Sequence, residues 1–327
     1  MIISKTPLRI SFFGGGTDYP DFFQKHGGAV LSTTVDKYVY ITVNKMSQIT
    51  DFPYKVTYSK TEKCHSIDEI QHPSVKACLQ YLGIKEGIEI HIVNELPAKT
   101  GLGSSSSFTV GLLNALHAYQ GKKIDKIQLA KMAIHVEQDI IGEKVGVQDQ
   151  SAAAIGGFNK LEFLSNQILV NPLANYPDKL SALDDNLMLF YTGIQRFAED
   201  IIPQQIENTK NSVIVPDLLS LKSMVDTGYE ILSSNAPLSD FGVLLDEAWR
   251  HKKRLSKVIS NDLLDDIYAI AIECGALGGK LLGAGGGGFY LFYVEKENQR
   301  KVKKGLSHLQ EIPFHFDTKG SQIVFAE

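Results

Sequence analysis

The sequence predicts an α+β chain of two domains, on three observations. Its 327 residues exceed what one hydrophobic core usually serves. The first part mixes strand-like and helix-like apolar patterns, whereas the part from Ala198 onward is dominated by long helical ones. Between them, Asn171-Pro172, Pro177-Asp178 and Asp184-Asp185 gather turn-forming residues over 170–186, which gives domains of 1–180 and 181–327.

Residues 2–13 read as a strand stopped by Gly14-Gly15-Gly16. Val35 to Val43 is rich in β-branched and aromatic residues, and Gly87 to Glu95 alternates with Ile88, Ile90 and Ile92 on one face. Val110, Leu113 and Leu116 give Ser104 to Tyr119 a helical period, with serines suited to cap it. Leu129, Met132, Val136 and Ile140 form the stripe of a helix over 125–141. A short helix over 148–155 stops at Gly156-Gly157, and Phe158 to Leu164 and Leu187 to Tyr191 read as strands. Helices follow at about 198–210, 216–233, 239–258 and 262–277. A glycine loop, the strand Phe289 to Val294, and a final helix and strand close the chain.

Hydrophobic residues make up 43% and charged residues 21%, a globular balance, and the net charge of −4 argues against a nucleic-acid surface. No apolar run reaches membrane-spanning length, and the first residues lack the basic-then-apolar pattern of a signal peptide. Cys64, Cys78 and Cys274 are odd in number and far apart, so they read as reduced thiols and point to the cytoplasm.

The segment Pro97 to Phe108 carries the strongest chemical signal: Pro97, Lys99, Gly101, Leu102, Gly103, then Ser104, Ser105, Ser106 and Ser107 opening a helix. Bare amides and hydroxyls at a helix start suit a phosphate. It is no Walker loop, because Lys99 precedes the glycines. A well-capped turn explains the same residues, but four serines exceed what one cap uses. Loop 283–288 fits the dinucleotide spacing of glycines, yet a helix is expected before it and a strand after it, the reverse of the dinucleotide order. Its glycines Gly285, Gly286 and Gly287 read as a ligand-facing surface. In the loop after the first strand, Thr17-Asp18 offers a polyol contact or a plain turn, and Arg9 stands upstream. Glu137 reads as a second Mg²⁺ ligand or as a solvated helix carboxylate. Asp149, among small residues at a helix start, reads as a proton acceptor or as a helix-terminal acid.

Pro7-Leu8-Arg9 with Gly14 to Asp18, Pro97 to Ser106, and Leu282 to Gly288 together resemble the three motifs of the GHMP kinases (galactokinase, homoserine kinase, mevalonate kinase, phosphomevalonate kinase). The motifs span nearly the whole chain in order. The resemblance implies a ribosomal-protein-S5-like domain followed by a ferredoxin-like domain, with ATP, Mg²⁺ and a small substrate in the cleft between them. It implies that the 97–106 loop wraps the ATP phosphates. It implies further that Ser105 and Glu137 hold Mg²⁺, that Asp149 is the catalytic base with Arg9 beside it, and that Asp18 binds sugar hydroxyls. Gly15 and Gly16 stand where galactokinases carry Glu and His, which makes galactose an unsuitable acceptor. Phe12 to Tyr19, Gly146 to Gln150 and Tyr191 to Arg196 are similar instead to bacterial sugar 1-kinases that act on D-glycero-D-manno-heptose 7-phosphate. That likeness implies a sugar-phosphate substrate read by Gly15, Gly16, Thr17, Asp18 and the 285–287 glycines, with Arg196, then Lys37, as the cation for its phosphate. Another sugar 1-kinase and a non-catalytic sensor of the same fold are the rival readings. The implied partners are small molecules, with no nucleic acid or membrane, for a monomer or a homodimer.

Overall fold

The computed structural model describes residues 1–327 except 48, 99, 166, 195–205 and 210–212. Strand Ile2–Phe13 alternates between buried and half-buried residues only at its start; from Thr6 on it is buried throughout, because elements cover both faces. It pairs antiparallel with Gly28–Lys45, from Ile2 opposite Val43 to Phe13 opposite Leu31. That 18-residue strand forks the sheet. Its far half pairs with Ile88–Asn94 and its near half with Phe158–Leu164. The helix Ser104–Tyr119 lies on this sheet so closely that a side-chain carbon at Gly111 would stand 2.6 Å from Thr6 Oγ1.

A second, four-stranded antiparallel sheet runs in the order Gln310–Glu311, Leu187–Tyr191, Phe289–Tyr293, Gly278–Leu281. Helices Ser239–Arg254 and Asp262–Glu273 accompany it, whereas Val215–Ser233 packs on the first sheet, where a side-chain carbon at Gly228 would stand 2.7 Å from the Phe13 ring. The last strand, Gln322–Ala326, returns to the first sheet beside Ile2–Lys5.

Several expected elements change. The helix expected over 239–258 stops at Arg254, and the one over 262–277 stops at Glu273. The residues after Glu273 form strand Gly278–Leu281, because Gly278 packs with its Cα face on the carbonyl of Gly242, where a side chain would come within 2.1 Å. The 282–288 loop thus joins two antiparallel strands. Most of the helix expected over 198–210 lies outside the described residues. Period and composition also miss the short helices Pro20–His26, Pro73–Tyr81 and Pro177–Asp185, each opened by a proline at its first position.

The 125–141 helix carries the most consequential departure. It is capped by the Asp125 carboxylate on the Gln128 amide and is α-helical over Lys126–His135, then widens to a π-helix over Val136–Ile141. The wider turn rotates the register. Ile140, expected on the inner stripe, is 41% exposed, and Glu137 is turned inward to 1%. π-Helical turns often mark functional sites for this reason.

Candidate active site

Three glycine-bearing loops meet beside the start of helix Ser104–Tyr119. Gly101 and Gly283 touch backbone to backbone, so that a side chain at Gly283 would sit 2.4 Å from the Gly101 Cα. Both take positive φ, 90° and 70°. Gly288 packs in the same way on the Thr100 carbonyl. Gly285 and Gly287 face the backbone of Ile259 and Ile194, and the Gly286 amide donates to the Ile259 carbonyl at 2.8 Å. Where a side chain would stand, Gly285 and Gly287 thus meet protein backbone.

The helix start differs from expectation in a useful way. Gly103, at φ 74°, occupies the cap position, and no side chain caps the helix. The serines expected as caps reach elsewhere: Ser107 Oγ donates to the Pro7 carbonyl at 2.9 Å, and Ser106 Oγ to Glu137 Oε2 at 2.9 Å. The first-turn amides keep the capacity to receive an anion's oxygens, and the helix dipole favours negative charge there. Leu102 is fully buried, Pro97 is exposed with its carbonyl held by Thr100 Oγ1, and Lys99 lies outside the described residues.

Arg9 reaches across this junction. Its Nε and Nη2 donate to the two carboxylate oxygens of Asp149 at 2.8 and 2.9 Å, and its Nη1 donates to the Gly101 carbonyl at 2.6 Å. Its own amide donates to the Leu102 carbonyl. The fork geometry fixes both the carboxylate plane and the loop. The Arg9 side chain is 5% exposed and that of Asp149 is 26%, so the acid keeps an open side. Each carboxylate oxygen has a second lone pair for a proton.

Glu137 lies in the opposite kind of setting. One oxygen, Oε2, accepts from Ser106 Oγ and from Gln150 Nε2; the other, Oε1, is buried and makes no hydrogen bond. Burial raises its pKa to about 7, despite the hydrogen bonds that favour the anion. A buried carboxylate oxygen without a donor fits a hard cation such as Mg²⁺, which takes oxygen ligands and leaves the remaining positions to water and phosphate. The serine that touches Glu137 is Ser106; Ser105, the expected ligand, is exposed and makes no contact with Glu137. Among the described residues no group of three His, Cys, Asp or Glu side chains forms a metal site.

Two lysines that sequence reasoning missed complete the electrostatics. Lys280 is 6% exposed and donates to the carbonyls of Ser11 and Phe12 at 3.0 and 2.7 Å. Lys252 donates to those of Leu281 and Gly283, both at 2.6 Å. Burial, and then the Arg9 charge, pull Lys280 down to about 7; burial, Lys280 and Arg9 pull Lys252 below its ordinary range. The one available signal was a lone lysine inside the otherwise apolar Gly-Gly-Lys-Leu-Leu run at 278–282.

The 14–18 loop is tightly held. Thr17 is fully buried; its hydroxyl lies 2.8 Å from the carbonyls of both Gly14 and Ala29 and accepts from the Ala29 amide. Asp18, 1% exposed, accepts from the amides of Gly16 at 3.0 Å and Gln148 at 3.3 Å. Both hold the loop and the helix Gln148–Ile155 in place. Burial, then the nearby Asp149 charge, raise Asp18 to about 6. Lys37 is engaged by its neighbour Asp36 at 3.1 Å, and Arg196 lies outside the described residues.

Comparison with known proteins agrees with this geometry. The family descriptions "GHMP kinases N terminal domain" and "GHMP kinases C terminal" match residues 71–157 and 235–310. The chain is 32% identical over 320 residues to a D-glycero-alpha-D-manno-heptose 7-phosphate kinase of Campylobacter jejuni, covering 93% of each chain. It is 28% identical to a galactokinase of Pyrococcus furiosus, covering 99% of this chain and 97% of that one. Among solved structures, a D-glycero-D-manno-heptose 1-phosphate kinase from Bacteroides thetaiotaomicron superposes over all of both chains with a TM-score of 0.81 at 24% identity. Lactococcus lactis galactokinase complexed with galactose gives 0.74 at 18% identity, over 98% of this chain and 94% of that one. Three convergent glycine loops, the Arg9–Asp149 pair and a full-length likeness of this degree place the chain in the GHMP kinase family.

Proposed function

We propose that the protein transfers the γ-phosphoryl group of ATP to the anomeric hydroxyl of D-glycero-D-manno-heptose 7-phosphate, giving the 1,7-bisphosphate. The observation that carries the reading is the bidentate Arg9–Asp149 pair, open on one side, at the uncapped start of helix Ser104–Tyr119. The amides of Gly101 to Ser106 receive the phosphates of ATP. Asp149 accepts the proton of the anomeric hydroxyl as its oxygen bonds to the γ-phosphorus; the bond from that phosphorus to the β–γ bridging oxygen breaks, and ADP leaves with the electron pair. Arg9 keeps the carboxylate aimed. Arg9 sets positive potential at the loop junction, where charge shifts toward ADP, while Lys252 and Lys280 hold the backbone carbonyls of Gly283 and Ser11 in place. Mg²⁺, held by Glu137 Oε1 with Ser105 or Ser106, supplies positive charge to the β- and γ-phosphate oxygens when bound. The 32% identity to a heptose 7-phosphate kinase supports this acceptor, and the phosphate of the substrate then needs the cation for which Arg196 is our candidate. The three free cysteines accord with work in the cytoplasm, where the product would supply nucleotide-activated heptose for surface polysaccharide.

The test is ADP release with a panel of heptose 7-phosphate, unphosphorylated heptose, fucose, galactose and N-acetylhexosamines, followed by ³¹P NMR of the product. The highest kcat/KM with heptose 7-phosphate and an anomeric phosphate resonance are expected. Turnover confined to another sugar would move the assignment within the family, and no turnover with any sugar would reject the sugar-kinase reading.

A further inference from the structure

Beside Asp149 two polar side chains that the phosphoryl-transfer groups do not use converge on Gly15. A side-chain carbon at Gly15 would have two atoms within 4 Å apart from its chain neighbours: Ser11 Oγ at 3.9 Å and Gln148 Nε2 at 4.0 Å. These are ordinary van der Waals contacts, so a methyl group there would touch both without displacing either. Ser11 is 7% exposed, and its Oγ is buried without a hydrogen-bond partner. The Oε1 of Gln148 is buried and unpartnered as well. A buried polar atom left unsatisfied is costly. The rest of the loop shows no such neglect: Thr17 Oγ1 and both Asp18 carboxylate oxygens are engaged.

Both residues stand on fixed backbone. Lys280 grips the Ser11 carbonyl at 3.0 Å, and Asp18 accepts from the Gln148 amide. Gln148 directly precedes Asp149. A hydroxyl and a carboxamide carry no charge and both donate and accept, which matches sugar hydroxyls that also do both. We propose that Ser11 and Gln148 bind hydroxyl groups of the acceptor sugar beside Gly15 and thereby select it. The inference rests on the sugar-kinase reading above.

The experiment uses the full chain with Gly15→Ala, Gln148→Leu and Ser11→Ala, and measures KM for heptose 7-phosphate and for ATP separately, with thermal unfolding as a control. Gly15 is not at positive φ, and alanine fits without a clash, so the variant adds a methyl group against both side chains without unfolding the loop. Sugar KM is expected to rise about tenfold or more in Gly15→Ala and Gln148→Leu, with ATP KM and the unfolding temperature held. An unchanged sugar KM in both, or an equal rise for ATP, overturns the assignment of Ser11 and Gln148 alone. A wild-type protein that phosphorylates no sugar overturns the kinase reading and this inference with it.

Discussion

Asp149 and Glu137 are tied to adjacent positions of one short helix and are held in opposite ways. Asp149 lies on helix Gln148–Ile155 and is paired with a full cation, Arg9, while a quarter of its side chain stays open. Glu137 is bound from the next residue, Gln150, and from Ser106, by neutral donors on one oxygen only. The first arrangement suits a group that meets a substrate and takes its proton. The second leaves a buried negative charge that a cation must complete. Two carboxylates of similar intrinsic acidity thus acquire different roles from their surroundings.

The largest test of that contrast is Asp149→Asn. The amide keeps the shape and one acceptor for Arg9 but cannot take the proton, so kcat should fall about 10²- to 10⁴-fold while ATP still binds. Near-normal turnover would remove Asp149 as base.

Next is Asp18, the carboxylate that supports the Asp149 helix. Its folded pKa of about 6 lies above the model-peptide value of 3.8, so the folded state holds the proton more tightly. Its contribution to stability is full below about pH 4 and is lost as the pH rises through about 6. Asp18→Asn should therefore flatten the loss of stability between about pH 4.5 and pH 7, by about 2 kcal/mol in denaturant titrations. Parallel curves for the two proteins would contradict the buried-carboxyl account.

Glu137→Gln should leave folding intact, because its amide oxygen still accepts from Ser106, and raise the Mg²⁺ concentration for half-maximal rate at least about tenfold. The same shift should appear in direct Mn²⁺ binding with ATP. An unmoved metal titration would return Glu137 to a structural role. The smallest effect separates the serines. Ser106→Ala and Ser105→Ala should each raise the Mg²⁺ requirement a few fold if each is a ligand, and only Ser106→Ala should do so if the contact seen with Glu137 decides. The pair of titrations tells the two apart.

Much of the architecture was legible because it is local. Period two marked Ile2–Phe13 and Ile88–Asn94, and the helical period marked Ser104–Tyr119. Glycine clusters marked the three loops, since positive φ and close approach leave few alternatives. What glycine could not say was what comes close: at 283–288 it is the backbone of the chain itself, at Gly15 it is two polar side chains, Ser11 and Gln148. Periodicity also placed Ile140 inside and left Glu137 undecided, because a π-turn changes the period and nothing in the local pattern announces it.

By itself, then, the sequence determined the fold class and the order of the loops, and it singled out Arg9, Glu137 and Asp149 as candidate chemical groups. Only the tertiary structure decided the partners: Arg9 meets Asp149 across 140 residues, and Lys280 meets Ser11 across 269. It also decided that Ser106 touches Glu137, that Thr17 and Asp18 support the loop, and that Ser11 and Gln148 converge on Gly15. The reason is physical. Apolar period and backbone freedom act over neighbouring residues, whereas a hydrogen bond needs two atoms within about 3 Å, a condition set by sheet register and packing across the whole chain.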